Sequence, residues 1–184
     1  MKRSLILLAA LLLILTGCGM ESVIPEQKIS TASFSDLSSL YRDAAAELAK
    51  IDYECTVSKT DLYRPSAVSD FVGFYILDIK NGTYSPYDGE AARALIETAG
   101  VKLIDKIRNK DTEVISFSHC VPGRNYDYGF YYCSDDRPVY LGDVTLTLTI
   151  SGNGFAYEKK GALGVNMTYY TERVENNFFY YEIS

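Results

Sequence analysis

The chain has 184 residues, a formal net charge of −6 and 47% hydrophobic residues. This length suits one domain with a sizeable core. The acidic balance argues against a nucleic-acid partner, because phosphate contacts require clustered Lys and Arg. Trp is absent, whereas the 16 tyrosines are a residue type that suits half-buried strands. We therefore expect an acidic, strand-rich domain.

The first twenty residues are organised like a secretory signal. Two basic residues precede an apolar run from Leu5 to Leu15. This run is too short for a transmembrane helix, which needs about 20 apolar residues. It ends in Leu15-Thr16-Gly17-Cys18, which resembles the lipobox of bacterial lipoproteins.

This resemblance implies cleavage before Cys18 and a diacylglyceryl group, carrying fatty acids such as palmitate, on its thiol. Two acyl chains are enough for stable anchoring. The resemblance thus implies a protein held at the extracytoplasmic face of the cell membrane. Residues 1–17 would form the signal peptide, residues 18–32 a lipidated tether, and residues 33–184 a single α+β domain. Cleavage removes two of the 18 basic residues and none of the 24 acidic ones, which leaves a formal charge of −8.

The predicted domain begins with a helical pattern of apolar residues, which then changes to the alternating pattern of a strand. From Ser33 to Lys50 the apolar residues recur at helical spacing, and Ser33 is a residue type that caps helix starts. From Ile51 to Val57 the period is two, which predicts a strand with one buried face. This pattern places Cys55 on the apolar side.

Two longer apolar segments follow. Residues 71–82 are β-rich and apolar on both faces. They predict a central strand that ends in a tight turn at Asn81-Gly82, with a helix as the alternative. Residues 89–109 carry a helical stripe, which predicts a second helix. Gly100 is a candidate break in it, because glycine is costly in a helix interior.

After Lys110 the chain alternates in the manner of strands to its end. Turn residues separate six predicted strands near residues 112–119, 127–133, 138–150, 154–160, 163–173 and 177–183. Short connections favour antiparallel pairing, and helices followed by strands favour an α+β fold. We expect two helices packed on a curved antiparallel meander of five to eight strands.

The remaining cysteines and the single histidine carry weak site signals. Cys120 and Cys133 could form a disulfide if a wide loop brings their strands opposite each other, whereas a tight turn would place them out of register. Cys55 could replace either partner, and buried free thiols are the alternative. His119 precedes Cys120 directly, and neighbours on a strand point to opposite faces, so we expect no Cys–His dyad. These residues also lack the spacing of a metal site.

Acidic and aromatic clusters complete the candidates. The adjacent Asp135 and Asp136 are typical of a solvated turn. The tyrosines on the predicted sheet could form an exposed row that binds a partner, although cross-strand pairing within the sheet explains them as well. The candidate binding surface comprises Tyr126, Tyr128, Tyr131, Tyr169 and Tyr180.

From these patterns we expect a non-catalytic binding module of the bacterial envelope that uses no metal and no cofactor. Its partners would be the membrane, through Cys18, and an envelope protein, peptide or glycan. One alternative is an inhibitor of a hydrolase, because Tyr53-Glu54-Cys55 is similar to the Tyr-x-Cys strand of membrane-bound lysozyme inhibitors. That family is an all-β barrel, which the two predicted helices contradict. The other alternative is an enzyme without a recognisable motif.

Overall fold

One large antiparallel sheet organises the chain, and two helices pack on one of its faces. The computed structural model describes residues 32–65, 72–109, 112–123, 126–160 and 166–184. The lipobox and Cys18 lie outside these residues. Within them the helices are α1 (Ala32–Ala49) and α2 (Glu90–Ala99). The strands are β1 (Cys55–Lys59), β2 (Phe74–Asp78), β3 (Thr83–Pro86), β4 (Leu103–Asn109), β5 (Thr112–Ser118), β6 (Asp127–Cys133), β7 (Thr149–Ser151), β8 (Gly154–Lys160), β9 (Asn166–Glu175) and β10 (Phe178–Ile183).

The ten strands lie in the order β3-β2-β1-β4-β5-β6-β10-β9-β8-β7. Every neighbouring pair is antiparallel. The α+β class is therefore confirmed, but the expected five to eight strands are too few. Neither described helix is long and apolar enough to cross a membrane.

The second helix is shorter than predicted because Gly100 ends it. This glycine has a φ of 73°, in the left-handed region. Glycine adopts this conformation at little cost because it has no Cβ. Val101 is then buried, and β4 begins at Leu103. Residues 103–109 therefore form a strand that we had assigned to a helix, because their apolar spacing fits both periods.

A second difference concerns residues 138–150, which we expected to form one long strand. Only Thr149–Ser151 pairs with another strand of the sheet, as β7 at its edge. Before it, Asp143 Oδ1 accepts hydrogen bonds from the amide of Thr145 at 3.0 Å and from its hydroxyl at 2.6 Å. Such local side-chain bonds compete with strand pairing. Residues 134–148, here called the covering segment, therefore cross a face of the sheet instead of joining it.

The sheet buries apolar side chains on both faces. On one face, α1 and α2 contribute Phe34, Tyr41, Leu48 and Leu95 to a core that includes Phe117. On the opposite face, here called the far face, the covering segment packs on β6, β9 and β10. The buried residues of this second core are Val114, Tyr131, Cys133, Val139, Val144, Tyr169, Phe179 and Tyr181.

Two charged side chains join the helices to their surroundings. Glu47 on α1 accepts hydrogen bonds from the backbone amides of Ala91 at 2.8 Å and Ala92 at 3.1 Å, and so caps the start of α2. The fully buried Lys106 on β4 caps the end of α1 by donating to the carbonyl oxygens of Leu48, at 2.9 Å, and Ile51. The helix dipole favours a negative charge at a helix N-terminus, as with Glu47 at α2, and a positive charge at a C-terminus, as with Lys106 at α1.

Candidate ligand-binding site

A cavity of about 250 Å³ lies on the half of the far face that the covering segment does not cover. Some side chains on this half, such as Tyr75 and Leu103, are themselves buried. Its floor comes from four neighbouring strands, because the pairing places Tyr84 opposite Leu77, Leu77 opposite Thr56, and Thr56 opposite Asp105. Cross-strand neighbours share one face, so these side chains form a row across β3, β2, β1 and β4. Such a volume lies just below the roughly 300–1,000 Å³ of pockets for drug-sized molecules, and it suits a small ligand.

A second row and two loop segments complete the cavity. Tyr75 on β2 and Leu103 on β4 flank the first row, with Ser58 between them in the register. Tyr63 and Pro65, which follow β1, form one wall, and Pro122, which follows β5, forms another. The described lining is therefore mainly aromatic and apolar.

The aromatic side of the cavity is fixed by contacts among its tyrosines. The rings of Tyr75 and Tyr84 have centroids 5.8 Å apart and planes at 57°, so the buried Tyr75 packs against Tyr84 and holds its ring in place. The Tyr75 hydroxyl donates to the backbone carbonyl of Tyr63 at 3.2 Å. Burial raises the pKa of Tyr75 to about 12. Tyr75 is therefore a neutral hydrogen-bond donor that holds the segment carrying Tyr63.

Asp105 is the one carboxyl among the described residues that line the cavity. Its Oδ1 accepts a hydrogen bond from the Thr56 hydroxyl at 2.5 Å. Burial raises the pKa of the Asp105 carboxyl, the bond from Thr56 opposes this shift, and the charge of Asp127 adds to it. A carboxyl with a raised pKa in a cavity is a feature of functional sites.

Asp127 lies on the same face but has a structural environment. Its Oδ1 accepts from the Ser118 hydroxyl at 2.5 Å and from the Tyr128 amide at 2.8 Å. Its Oδ2 accepts from the buried Tyr181 hydroxyl at 2.9 Å. Burial raises the pKa of this carboxyl, against the effect of these bonds. Asp127 therefore ties β5, β6 and β10 together and does not line the cavity.

The sequence patterns did not point to this cavity. Asp105 was missed because residues 89–109 were assigned to one helix, in which an acidic residue needs no special explanation. The signal that could have indicated it is an acidic residue directly after the apolar pair Leu103-Ile104. Tyr63, Tyr75 and Tyr84 were missed because their meeting depends on strand order.

The proposed cysteine pair is not joined. Cys133 lies opposite Val114 at one end of the β5–β6 pair, whereas Cys120 follows Ser118 at the other end. The four steps from Val114 to Ser118 already span roughly 13 Å, well beyond the distance that a disulfide can bridge. The wide-loop geometry that we considered is therefore wrong. Cys55 is a buried thiol, and burial raises its pKa to about 12.

The tyrosine row is also corrected. Tyr131, Tyr169 and Tyr180 are buried, because the covering segment packs over the first two and the helix-side core encloses the third. Tyr126 and Tyr128 are half-buried. These five residues do not form one exposed surface, and cross-strand and interlayer packing accounts for the three buried ones.

The remaining polar candidates have structural partners. The ring of His119 lies parallel to that of Tyr128, and its Nε2 is 3.2 Å from the Tyr41 hydroxyl. Burial and the charge of Lys102 lower the His119 pKa to about 4, against a hydrogen bond to the Gly100 backbone. It is therefore a neutral core histidine at pH 7.

The two adjacent aspartates serve a turn. Asp135 pairs with Arg137, and Asp136 with Arg173. The carboxylate of Asp136 also accepts from the Asn177 amide at 2.5 Å, which joins this turn to the β9–β10 turn. Within the described ranges no group of three His, Cys, Asp or Glu side chains is placed to hold a metal ion.

Comparisons with known proteins provide no family or relative for this chain. No protein-family model matches it, and no curated protein or solved structure matches it either.

Proposed function

We propose that the protein is a lipid-anchored, non-catalytic binding module at the extracytoplasmic face of a bacterial membrane, and that its ligand binds in the cavity of the far face. The lipobox-like Leu15-Thr16-Gly17-Cys18 supports the anchor. The cavity that contains Asp105 supports the binding function, and it is the observation on which this proposal depends. The floor of the cavity lies on strands, and rigid elements hold a binding site more precisely than loops.

The anchor is tested by metabolic labelling with radioactive palmitate in a bacterial host. We expect label on the wild-type protein and none on Cys18→Ala, which also loses its association with membranes. Cys120→Ala is the matched control and keeps the label, because its cysteine lies within the folded domain. Equal labelling of wild type and Cys18→Ala would contradict the anchor.

The binding site is tested by blocking the cavity. In Leu77→Trp an indole ring projects from the floor into the cavity. Ile150→Trp is the control, because it adds the same ring to an edge strand at a position where the original side chain is 78% exposed. The unfolding temperature of the full chain in detergent is measured with choline chloride, methyl glucoside and succinate. A ligand at 100 times its Kd stabilises a protein by about 2.7 kcal/mol.

We expect one of the three probes to raise the unfolding temperature of wild type and Ile150→Trp but not of Leu77→Trp. Binding at the cavity is rejected if none of the probes stabilises wild type. It is also rejected if the stabilisation is unchanged in Leu77→Trp.

An enzyme remains the second candidate, because a raised-pKa carboxyl such as that of Asp105 can act as a general acid. The two functions differ in the fate of the ligand. A binding module returns its ligand chemically unchanged after prolonged incubation, as mass spectrometry would show. Conversion that stops in Asp105→Asn would establish the enzyme instead.

A further inference from the structure

We infer that the cavity selects a small organic cation with an apolar head, of the quaternary ammonium class. The groups that recognise it are the carboxyl of Asp105 and the rings of Tyr63 and Tyr84, and the buried Tyr75 supports the Tyr84 ring. This inference rests on the proposed binding function and names its ligand chemistry.

The aromatic residues have the composition of a cation cage. A cation within about 6 Å of an aromatic ring centroid is attracted by the negative face of the ring, and the attraction is stronger where water is excluded. Tyr84 offers a ring on the floor, held at 57° against the buried ring of Tyr75. Tyr63, on the wall, adds a second ring. Rings on the floor and on a wall contact a rounded cation from more than one side, which a single flat platform does not do.

The carboxyl supplies the matching charge. Asp105 lines the cavity, and its Oδ1 is held by the Thr56 hydroxyl. Burial in this apolar site disfavours the ionised form, and none of the described lining residues carries a positive charge that would compensate it. A bound cation compensates it, because removing one partner of a buried ion pair is costly and supplying that partner is favourable.

The rest of the lining discriminates against other ligands. Leu77, Leu103, Pro65 and Pro122 present apolar surface. A sugar would leave several of its hydroxyls unpaired against this surface, and burying an unpaired polar group is unfavourable. The hydroxyl of Tyr75 is already engaged with the Tyr63 carbonyl. Methyl groups on a cationic nitrogen, in contrast, need no hydrogen bonds.

Charge complementarity extends beyond the cavity. None of the described lining residues is basic, and the chain has a formal net charge of −6. An acidic protein raises the local concentration of cations and repels anions. The long-range field and the local chemistry of the cavity therefore favour the same ligand class.

The test compares choline with its uncharged carbon isostere, 3,3-dimethylbutan-1-ol, by titration calorimetry on the full chain in detergent. The ionic strength is about 0.15 M, which screens unspecific surface attraction. We expect choline to bind at least about tenfold more tightly than the alcohol, a difference of 1.4 kcal/mol. Phosphocholine forms a further arm, because the same cation occurs free or in a lipid headgroup. Tighter binding of phosphocholine than of choline indicates the headgroup as the source, and the reverse indicates a free cation.

Two variants and two matched controls locate the recognition. Asp105→Asn is expected to weaken choline at least about tenfold and to leave the alcohol unchanged, whereas Tyr84→Leu weakens choline because a ring is lost. Asp43→Asn removes an exposed carboxyl on α1, and Tyr53→Leu removes an exposed tyrosine before β1. Both controls bind choline like wild type. Tyr84→Leu still tests the inference if Asp105→Asn does not fold.

Equal affinities for choline and the alcohol overturn the inference, as does choline binding that is unchanged in both cavity variants. If methyl glucoside or succinate binds in the cavity and choline does not, the cation is wrong while the binding function stands. If none of the probes binds, both proposals fail.

Discussion

The carboxyl of Asp105 occupies a site in which burial opposes its ionised form. Its pKa in the folded protein is raised above the unfolded value, which is near 3.9. The favourable contribution of this group to stability is therefore present below the unfolded pKa and is lost as the pH rises through the folded pKa. At neutral pH the carboxyl costs stability, which is expected where a side chain is kept for binding.

We expect Asp105→Asn to raise the free energy of unfolding at pH 7 by roughly 1–3 kcal/mol, the cost of a poorly satisfied buried polar group. The effect is much smaller at pH 3.5, where the wild-type carboxyl is largely protonated in both states. The Asn side chain retains an oxygen that accepts from Thr56. Urea titrations at the two pH values measure the difference, with Asp43→Asn as control. A loss of stability at both pH values would contradict this account of the site.

The imidazole of His119 has the opposite pH dependence. Its pKa is about 4 in the folded protein and near 6.5 in the unfolded chain. The unfolded state therefore binds more protons between these values, and stability is lost as the pH falls from 6.5 to 4. One pKa unit corresponds to 1.36 kcal/mol, so the expected loss is about 3 kcal/mol. The groups that face the ring are Tyr41, Tyr128 and Lys102.

In His119→Gln we expect this part of the acid destabilisation to disappear. Between pH 7 and pH 4, wild type should lose about 3 kcal/mol more of its unfolding free energy than the variant loses. Denaturant titrations of both proteins at the two pH values measure this difference. Carboxyl groups titrate in both proteins and cancel in the comparison. Parallel pH profiles of the two proteins would show that the pKa of His119 is not lowered in the folded state.

At the scale of elements, α1 is joined to the sheet by a buried cation. Lys106 donates to carbonyl oxygens at the end of α1 and lies 2.9 Å from Glu113 Oε2. A cation is favourable at a helix C-terminus, and its burial is tolerated because each proton has a partner. The sequence pattern placed Lys106 on a helix, where a lysine is expected to be solvated.

We expect Lys106→Met to destabilise the protein by about 3 kcal/mol, because Glu113 and the helix carbonyls lose their partner. Arg108 also pairs with Glu113, at 3.0 Å, and limits the loss. Urea titration measures the change, and hydrogen exchange should show faster opening of the last turn of α1. Lys80→Met, at an exposed position in the β2–β3 turn, is the control. A Lys106→Met variant as stable as wild type would mean that hydrophobic burial at this position replaces the ionic contacts fully.

At the scale of the whole molecule, the far face is divided into two halves. The covering segment closes the half formed by β6, β10 and β9, and the cavity lies on the other half. Two buried tyrosines hold the segment through one residue. The amide of Val139 donates to the Tyr131 hydroxyl at 3.0 Å, and its carbonyl oxygen accepts from the Tyr169 hydroxyl at 2.8 Å.

We expect the double variant Tyr131→Phe/Tyr169→Phe to loosen the covering segment without changing the cavity. It leaves the backbone groups of Val139 buried without partners, at roughly 1–3 kcal/mol each. Hydrogen exchange of residues 139–148 should accelerate, while that of β1, β2 and β4 stays as in wild type. Equal acceleration in both halves would show that the far face opens as one cooperative unit.

Local patterns predicted several elements closely. The helical stripe predicted residues 33–50, where α1 spans Ala32–Ala49, and β6 occupies the predicted residues 127–133. The buried residues of α1, Phe34, Tyr41 and Leu48, recur at helical spacing, and turn residues bound β6 on both sides, so the local pattern indicates both elements. The expected strand over 138–150 was wrong because the local bonds of Asp143 compete with pairing. The prediction for 89–109 was only half correct, since β4 has the same spacing of apolar residues as a helix.

The amino-acid sequence by itself determined the α+β class, the acidic charge, the turn at Asn81-Gly82 and the side of β1 that buries Cys55. These properties depend on residues a few positions apart, whose spacing dictates the buried face. Only the tertiary structure decided that Thr56 meets Asp105 and that Tyr63 and Tyr84 share a cavity. Those contacts join positions far apart in the chain, and their formation depends on strand order and on the path of the covering segment, which no local periodicity encodes.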